Sequence, residues 1–220
     1  FHNSVQETNL TTPDPISLQK ILSEFEAQEV EMVALEASSH ALVQGRLDGI
    51  DIDDAAFTNL SRDHLDYHLD MASYGEAKAL LFKKSSVKLA VFNLDDCFSQ
   101  TLMKATELDA EQITYSLDNP CADIYCRNIH LDVQGVRAHV FSPWGEGALI
   151  SPLIGQFNLA NLLSIIAIIG PRYPFSEVLS TLPLLKPPSG RMELINTRAK
   201  PSVIVDYAHT PDALEKVLIT

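Results

Sequence analysis

Three short apolar runs in the first half of the chain each break off into a dense polar cluster, and helical patterns separate them. Met32-Val33-Ala34-Leu35 ends at Glu36-Ala37-Ser38-Ser39-His40. Ala55-Ala56-Phe57-Thr58-Asn59-Leu60 ends at Ser61-Arg62-Asp63-His64-Leu65-Asp66-Tyr67-His68, and the run from Leu89 to Leu94 ends at Asp95-Asp96. Residues 13–29 carry helical apolar spacing, with Asp14 able to cap and Pro15 suited to the first turn; a second helix is predicted from about Met71 to Phe82. Strands alternating with helices specify a parallel sheet. In such sheets ligands collect beyond the carboxyl ends of the strands. The Glu36 and His64 segments both occupy that position.

Beyond Ala122 the period changes. Ile124, Cys126, Ile129, Leu131, Val136, Ala138, Val140 and Leu149, with turns at Gln134-Gly135 and Trp144-Gly145, predict short antiparallel strands. Helices are predicted over Asn158 to Ile169 and Phe175 to Leu185. Pro187-Pro188-Ser189-Gly190 reads as a hinge, followed by strands at Met192 to Ile195 and Val203 to Val205. A helix starts at Pro211, capped by Thr210 or Asp212. The fold class expected is α/β: a mostly parallel sheet flanked by helices, a small antiparallel subregion, and the start of a second α/β domain. A chain of 220 residues has room for one large domain and part of another.

Composition narrows the function. A formal net charge of −13 argues against a nucleic-acid partner, which needs a basic face. No apolar run is long enough to span a membrane, and Phe1-His2-Asn3-Ser4 opens no signal peptide. Cys97, Cys121 and Cys126 match neither a disulfide framework nor a zinc site and fit a reduced, cytoplasmic protein; a monomer is expected.

Each polar cluster has a bland reading beside a chemical one. Glu36 to His40 offers a carboxylate, two hydroxyls and an imidazole, suited to magnesium or phosphate, or simply a Ser-rich turn with a helix cap. Arg62 to His68 is a solvated loop or a metal or phosphate segment; it lacks zinc spacing. Lys78 sits on an apolar stripe, with Tyr74 four residues before it and Leu81 and Phe82 three and four after. Burial there lowers a lysine pKa and yields a nucleophilic amine; alternatively its stem snorkels over the patch. Asn158 and Asn161, three apart at a helix start, cap the helix or meet a ligand.

Taken together and in order, these segments resemble the Mur ligase family, in particular the branch acting on UDP-N-acetylmuramoyl-L-alanyl-D-glutamate. The resemblance rests on Thr11-Thr12-Pro13-Asp14, Glu36-x-Ser38-Ser39-His40-x-Leu42-x-Gln44-x-Arg46, the run Phe57 to His68, Tyr74-x-x-Ala77-Lys78, Gly155-x-Phe157-Asn158-x-x-Asn161, Gly190-Arg191-Met192-Glu193 and Asp206-Tyr207-Ala208-His209-Thr210-Pro211-Asp212. It implies an ATP- and Mg2+-dependent peptide synthase of peptidoglycan biosynthesis that adds a diamino acid, meso-diaminopimelate or alternatively L-lysine, through an acyl phosphate. By motif, Glu36 and His64 would hold magnesium, together with Lys78 as a carbamate. Thr11, Thr12, Ser38, Gln44 and Arg46 would bind the UDP-muramoyl dipeptide. Asn158, Asn161, Arg191, Asp206 and His209 would meet ATP. Residues 1–188 would be the central domain and 189–220 the beginning of the C-terminal one.

Two family segments are missing from the sequence. The phosphate loop G-x-x-G-K-[ST], placed some thirty residues before Thr11, does not occur, and neither does the Asp-Asn-Pro-Arg type segment that reads the amino acid. The chain alone is therefore expected to be inactive. Competing readings are another Mur ligase, a folylpolyglutamate synthetase-like enzyme, or a non-catalytic binding module of the same fold.

Overall fold

The computed structural model describes residue 8 and residues 10–106, 109–195 and 203–219. Helix α1 (Pro15–Ala27) begins as its sequence dictates: the Asp14 carboxylate accepts from the amides of Ile16 and Ser17, and proline occupies the first turn, where its missing N–H costs nothing. The short α2 (Ser39–Val43) is capped by Ser38, whose Oγ accepts from Ala41 N.

Strand β1 (Asp54–Phe57), helix α3 (Met71–Phe82), β2 (Leu89–Asn93), α4 (Ser99–Ala105) and β3 (Glu111–Tyr115) follow. The three strands pair in parallel, in the order β1-β2-β3, with Phe57 opposite Phe92 and Asn93 opposite Tyr115. Every residue of β2 is buried because side chains alternate between two covered faces. Ala90 and Phe92 join Ala79 and Phe82 of α3 and Leu102 of α4 on one side. Leu89 and Val91 join the other cluster, with Leu159, Leu162, Leu163 and Ile166 of α5 (Gln156–Ile169). Those four α5 side chains are fully buried, each contributing about 1.5–3 kcal/mol. Gly75 lets α3 close on the sheet's neighbours: a Cβ there would lie 2.4 Å from the Phe98 ring.

The same cluster takes the inward face of a second sheet, β4 (Tyr125–Asp132), β5 (Gly135–Ser142) and β6 (Gly145–Ser151), antiparallel and joined by two-residue turns. Gly135 is required at its turn, where φ is +126° and a Cβ would strike Ser151 O. Helix α6 (Phe175–Thr181) and a 3₁₀ turn (Leu182–Leu184) complete this half. After the Pro187–Gly190 hinge, β7 (Glu193–Ile195) and β8 (Val203–Val205) form a two-stranded antiparallel ribbon leading to α7 (Pro211–Leu218), capped by Thr210 Oγ1. The Asp212 side chain lies outside the described residues.

The sequence reading needs three corrections. The strand predicted at Met32 to Leu35 is an extended segment without a ladder, and Met32 is 51% exposed. Among the described residues β1 is hydrogen-bonded to β2 alone, so an apolar run gains nothing from strand geometry there. The run from Ala55 is strand only to Phe57, since Thr58 O instead accepts from the Asn93 side chain. Helix α4 and β3 were not predicted: β3 shows only Ile113 and Tyr115 as apolar signal within an otherwise polar stretch.

Candidate functional site

The parallel register places the carboxyl ends of β1, β2 and β3 at one edge, and polar loops are stitched there by long-range hydrogen bonds. Asn93 Nδ2 donates to Thr58 O at 2.8 Å, and Leu60 N donates to Asp96 Oδ2 at 2.7 Å. Ser116 Oγ and Leu117 N donate to the two oxygens of Asp95. Thus the loop leaving β1 is anchored on the loop leaving β2 before it reaches His64.

His64 itself sits at φ +56°, a left-handed conformation that costs a non-glycine residue on the order of 1–3 kcal/mol. Its carbonyl accepts from Tyr67 N (3.1 Å) and His68 N (2.9 Å), closing a tight turn. The turn is then locked inward. His68 is buried, its Nε2 lies 2.9 Å from the equally buried Ser39 Oγ, and its ring stacks on Tyr74 of α3 at 5.1 Å. Burial, and secondarily the neighbouring His40, hold the His68 pKa below the ordinary imidazole value. The His40 ring contacts Tyr67 at 4.0 Å and His64 at 5.2 Å.

Lys78 arrives from α3, one turn beyond Tyr74, with its Nζ 5.1 Å from the Tyr74 ring centre; the His64 ring packs T-shaped with the same ring at 5.7 Å. Burial pushes the Lys78 amine below its usual range, against the opposing charges of Glu36 and Asp96. Glu36, His64 and Lys78, expected together from sequence, thus come from three elements to neighbouring surfaces. Lys78 feels the Glu36 charge and shares the Tyr74 ring with His64. Among the described residues no three His, Cys, Asp or Glu side chains are grouped to hold a metal ion. The donors fit a divalent cation only if the lysine contributes oxygens.

The expected dipeptide-binding residues form a connected network. Thr12 is buried, donates to Glu36 O at 2.6 Å and accepts from Ser38 N at 3.1 Å. Arg46 Nη1 donates to Thr12 O at 2.8 Å, while its Nε and Nη2 both donate to Gln44 Oε1. Gln44 Nε2 in turn donates to Tyr67 Oη at 3.3 Å. Thr11 lies exposed beside this network. Ser38 is the α2 cap, so its bland reading holds as well.

The expected ATP-binding residues are spread more widely. Asn158 Nδ2 donates to Ile154 O at 2.7 Å, and Asn161 is exposed one turn further along α5. Arg191 lies over the Tyr207 ring at 5.0 Å; Asp206 accepts from Met192 N and Ala208 N; His209 Nδ1 lies 3.0 Å from Tyr207 O. Thr210 and Pro211 face Arg62 to Asp66 across a cleft of ≈ 550 Å³, which brings the start of α7 opposite the His64 turn. Asp96, His68 and Tyr67 were not singled out as site residues from sequence. His68 carried one usable signal, its spacing of four from His64; Asp96 carried none beyond its place at a strand end.

The family pattern described as the Mur ligase middle domain matches residues 1–169. A relative in Ectopseudomonas mendocina, named UDP-N-acetylmuramoyl-L-alanyl-D-glutamate--2,6-diaminopimelate ligase, is 48% identical over 219 residues, covering 99% of this chain and 45% of its own length. The ligase of that name in Coxiella burnetii is 40% identical over 223 residues, with 99% and 46% covered. A solved structure of a ligase of this name superposes with a TM-score of 0.83 at 40% identity, covering 94% of this chain and 43% of that one. The chain therefore spans less than half the length of these relatives. With over three quarters of its residues inside the family pattern and this level of identity across nearly all of them, the chain belongs to the Mur ligase family.

Proposed function

We propose that this chain is the catalytic heart of an ATP-dependent ligase that joins meso-diaminopimelate to UDP-N-acetylmuramoyl-L-alanyl-D-glutamate in peptidoglycan synthesis. The observation that carries the reading is the half-buried Lys78 amine, held below its usual pKa beside Glu36 and a ring shared with His64. The names of relatives matching almost the whole chain support the substrate choice over L-lysine.

A neutral amine adds carbon dioxide to give a carbamate and a proton, so the depressed Lys78 pKa prepares the modification. The carbamate, with Glu36 and His64, makes an oxygen-rich set for Mg2+, which when bound neutralises charge on the nucleotide phosphates. The D-glutamyl carboxylate would take the γ-phosphoryl group of ATP, breaking the bond to the β-phosphate and releasing ADP. The diamino acid's amine then attacks the acyl phosphate, and phosphate leaves. The obstacle is bringing one anion onto another, and positioning supplies the solution. Thr11, Thr12, Ser38, Gln44 and Arg46 hold the dipeptide; Arg46 carries the positive charge of that network. Asn158, Asn161, Arg191, Asp206 and His209 contact ATP, the last three from a segment beyond the hinge that begins the C-terminal domain at 189. The partners are small molecules, the compartment the cytoplasm, and the working unit a monomer.

The test uses a full-length ligase containing this chain and follows phosphate release as substrates are added one at a time. Release that requires ATP, Mg2+, the UDP-dipeptide and meso-diaminopimelate together supports the proposal. Release driven instead by L-lysine, or by a folate and glutamate, overturns the substrate choice.

A further inference from the structure

Two candidate ligands, His64 and Lys78, sit on separate elements, and His64 holds a backbone conformation that an imidazole does not choose by itself. Something must fix both. Tyr74 is the side chain on which they meet: the His64 ring is T-shaped to it, the Lys78 amine lies over it and His68 stacks on it, at 5.7, 5.1 and 5.1 Å. Tyr74 is buried on α3, whose backbone is tied to the core through Ala79 and Phe82. His68 in turn is fastened by its contact to Ser39 Oγ, at the start of the helix that follows Glu36.

We propose that Tyr74 and His68 form a positioning bracket that fixes the His64 turn against both Lys78 and the Glu36 segment. Neither residue touches substrate or cation. Tyr74 supplies a flat surface that sets the spacing of His64 from Lys78. His68, buried on that surface and bonded to Ser39, stops the left-handed turn from relaxing. Aromatic packing contributes beyond area alone because Tyr74 stacks with His68 and packs edge-to-face with His64, both preferred ring arrangements. The bracket needs the ring, whereas the Tyr74 hydroxyl has no assigned part in it, so phenylalanine should serve at this position and leucine should not.

The inference rests on the cation site proposed above, and its test separates the two. Tyr74→Phe, Tyr74→Leu and Ser39→Ala are made in this chain. Hydrogen exchange is read at the amides of Tyr67 and His68, which both donate to His64 O, and at Val91 and Phe92 as a core reference. Mn2+ binding in bicarbonate is read by electron paramagnetic resonance. Tyr74→Leu should speed exchange at the two turn amides and weaken Mn2+ binding by about tenfold or more, as loss of a ligand's support ordinarily does, with Val91 and Phe92 unchanged. Tyr74→Phe should restore both readouts to near the unsubstituted values. Unchanged turn amides in a folded Tyr74→Leu, or acceleration spread equally to Val91 and Phe92, overturns the bracket. If Tyr74→Leu does not fold, Ser39→Ala decides: selective acceleration at Tyr67 and His68 supports the bracket, and none overturns it. If a full-length ligase containing this chain binds no Mn2+ in bicarbonate, the cation reading falls while the exchange result still decides the bracket.

Discussion

The two ends of the candidate site are built in opposite ways. Around His64 the contacts are long-range and inward: Thr12 to Glu36, His68 to Ser39, Leu60 to Asp96 and Asn93 to Thr58 join segments 24 to 36 residues apart. Around Arg191 and His209 the hydrogen bonds among the described residues are shorter in sequence range, Asp206 reaching back to Met192 and His209 to Tyr207, and all three residues of β8 are exposed. A group held from several directions by a packed core is pre-organised before its ligand comes. The chain therefore presents one half held by long-range contacts, carrying the residues proposed for the cation and the dipeptide, and another held by shorter-range ones, carrying three of the residues proposed for the nucleotide, across the cleft at Thr210 and Pro211.

The most damaging change should strike the fixed half at its reactive group. Lys78→Ala in a full-length ligase containing this chain is expected to remove activity by more than about a hundredfold, beyond the loss ordinarily seen when only a ligand's supporting partner is deleted. A small carboxylate added to the assay should restore part of it. Near-normal turnover by that variant would remove the carbamate from the mechanism. Next in size is a contrast in stability. Phe92→Ala empties a fully buried site between α3 and β2 and should cost about 3–5 kcal/mol in urea unfolding. Val205→Ala, at an exposed position of β8, should stay within about 0.5 kcal/mol. Equal losses would mean that the ribbon is as deeply committed to the core as β2.

Much of this division is visible in the residues themselves. The α3 boundaries follow from Asp70 as a cap and an apolar stripe that ends at Phe82, and the β4–β6 meander follows from alternating apolar residues and its turns, with one bulge between Arg127 and His130. Lys78 is legible because an ammonium among Tyr74, Leu81 and Phe82 contradicts the pattern around it. The segment at Met32 to Leu35 misleads because apolarity specifies burial, while strand geometry also needs a neighbour to receive its hydrogen bonds. Strand β3 escapes because Thr114 and Tyr115 look amphipathic, although both are buried by the Asp123 and α5 sides of the fold. Which ring lies against which lysine is beyond pattern reading altogether. The convergence of His64, His68, Tyr74 and Lys78 depends on a left-handed residue, and nothing in a histidine's identity announces one.

Helix caps offer a finer comparison of the halves. Asp70 accepts from Ser73 N at 2.8 Å and also from Ser73 Oγ, starting the helix that carries Lys78; Thr210 accepts from Ala213 N at 3.3 Å, starting α7. Asp70→Ala should cost about 1 kcal/mol of global stability. Thr210→Ala should instead fray α7 locally, seen as faster exchange at Ala213 with little change in the urea midpoint. A matching global loss at Thr210 would show that α7 unfolds only with the rest.

The smallest effect expected is the pH dependence carried by His68. Its pKa is depressed first by burial, then by the charges of His40 and His64. Between that lowered value and the 6.5 of a free imidazole, the unfolded chain takes up a proton that the folded one refuses. Stability therefore rises with pH through this window and is lost on acidification below 6.5. His68→Gln keeps a polar side chain near Ser39 but cannot titrate, so its urea midpoint should fall less steeply over the same range. Enclosure by Tyr74 and Ser39 outweighs the opposing charge of Asp66, which sets the sign. A steeper fall in the substituted protein would mean that the buried ring accepts the proton in the folded state, and that the turn holding His64 tolerates a charge at its centre.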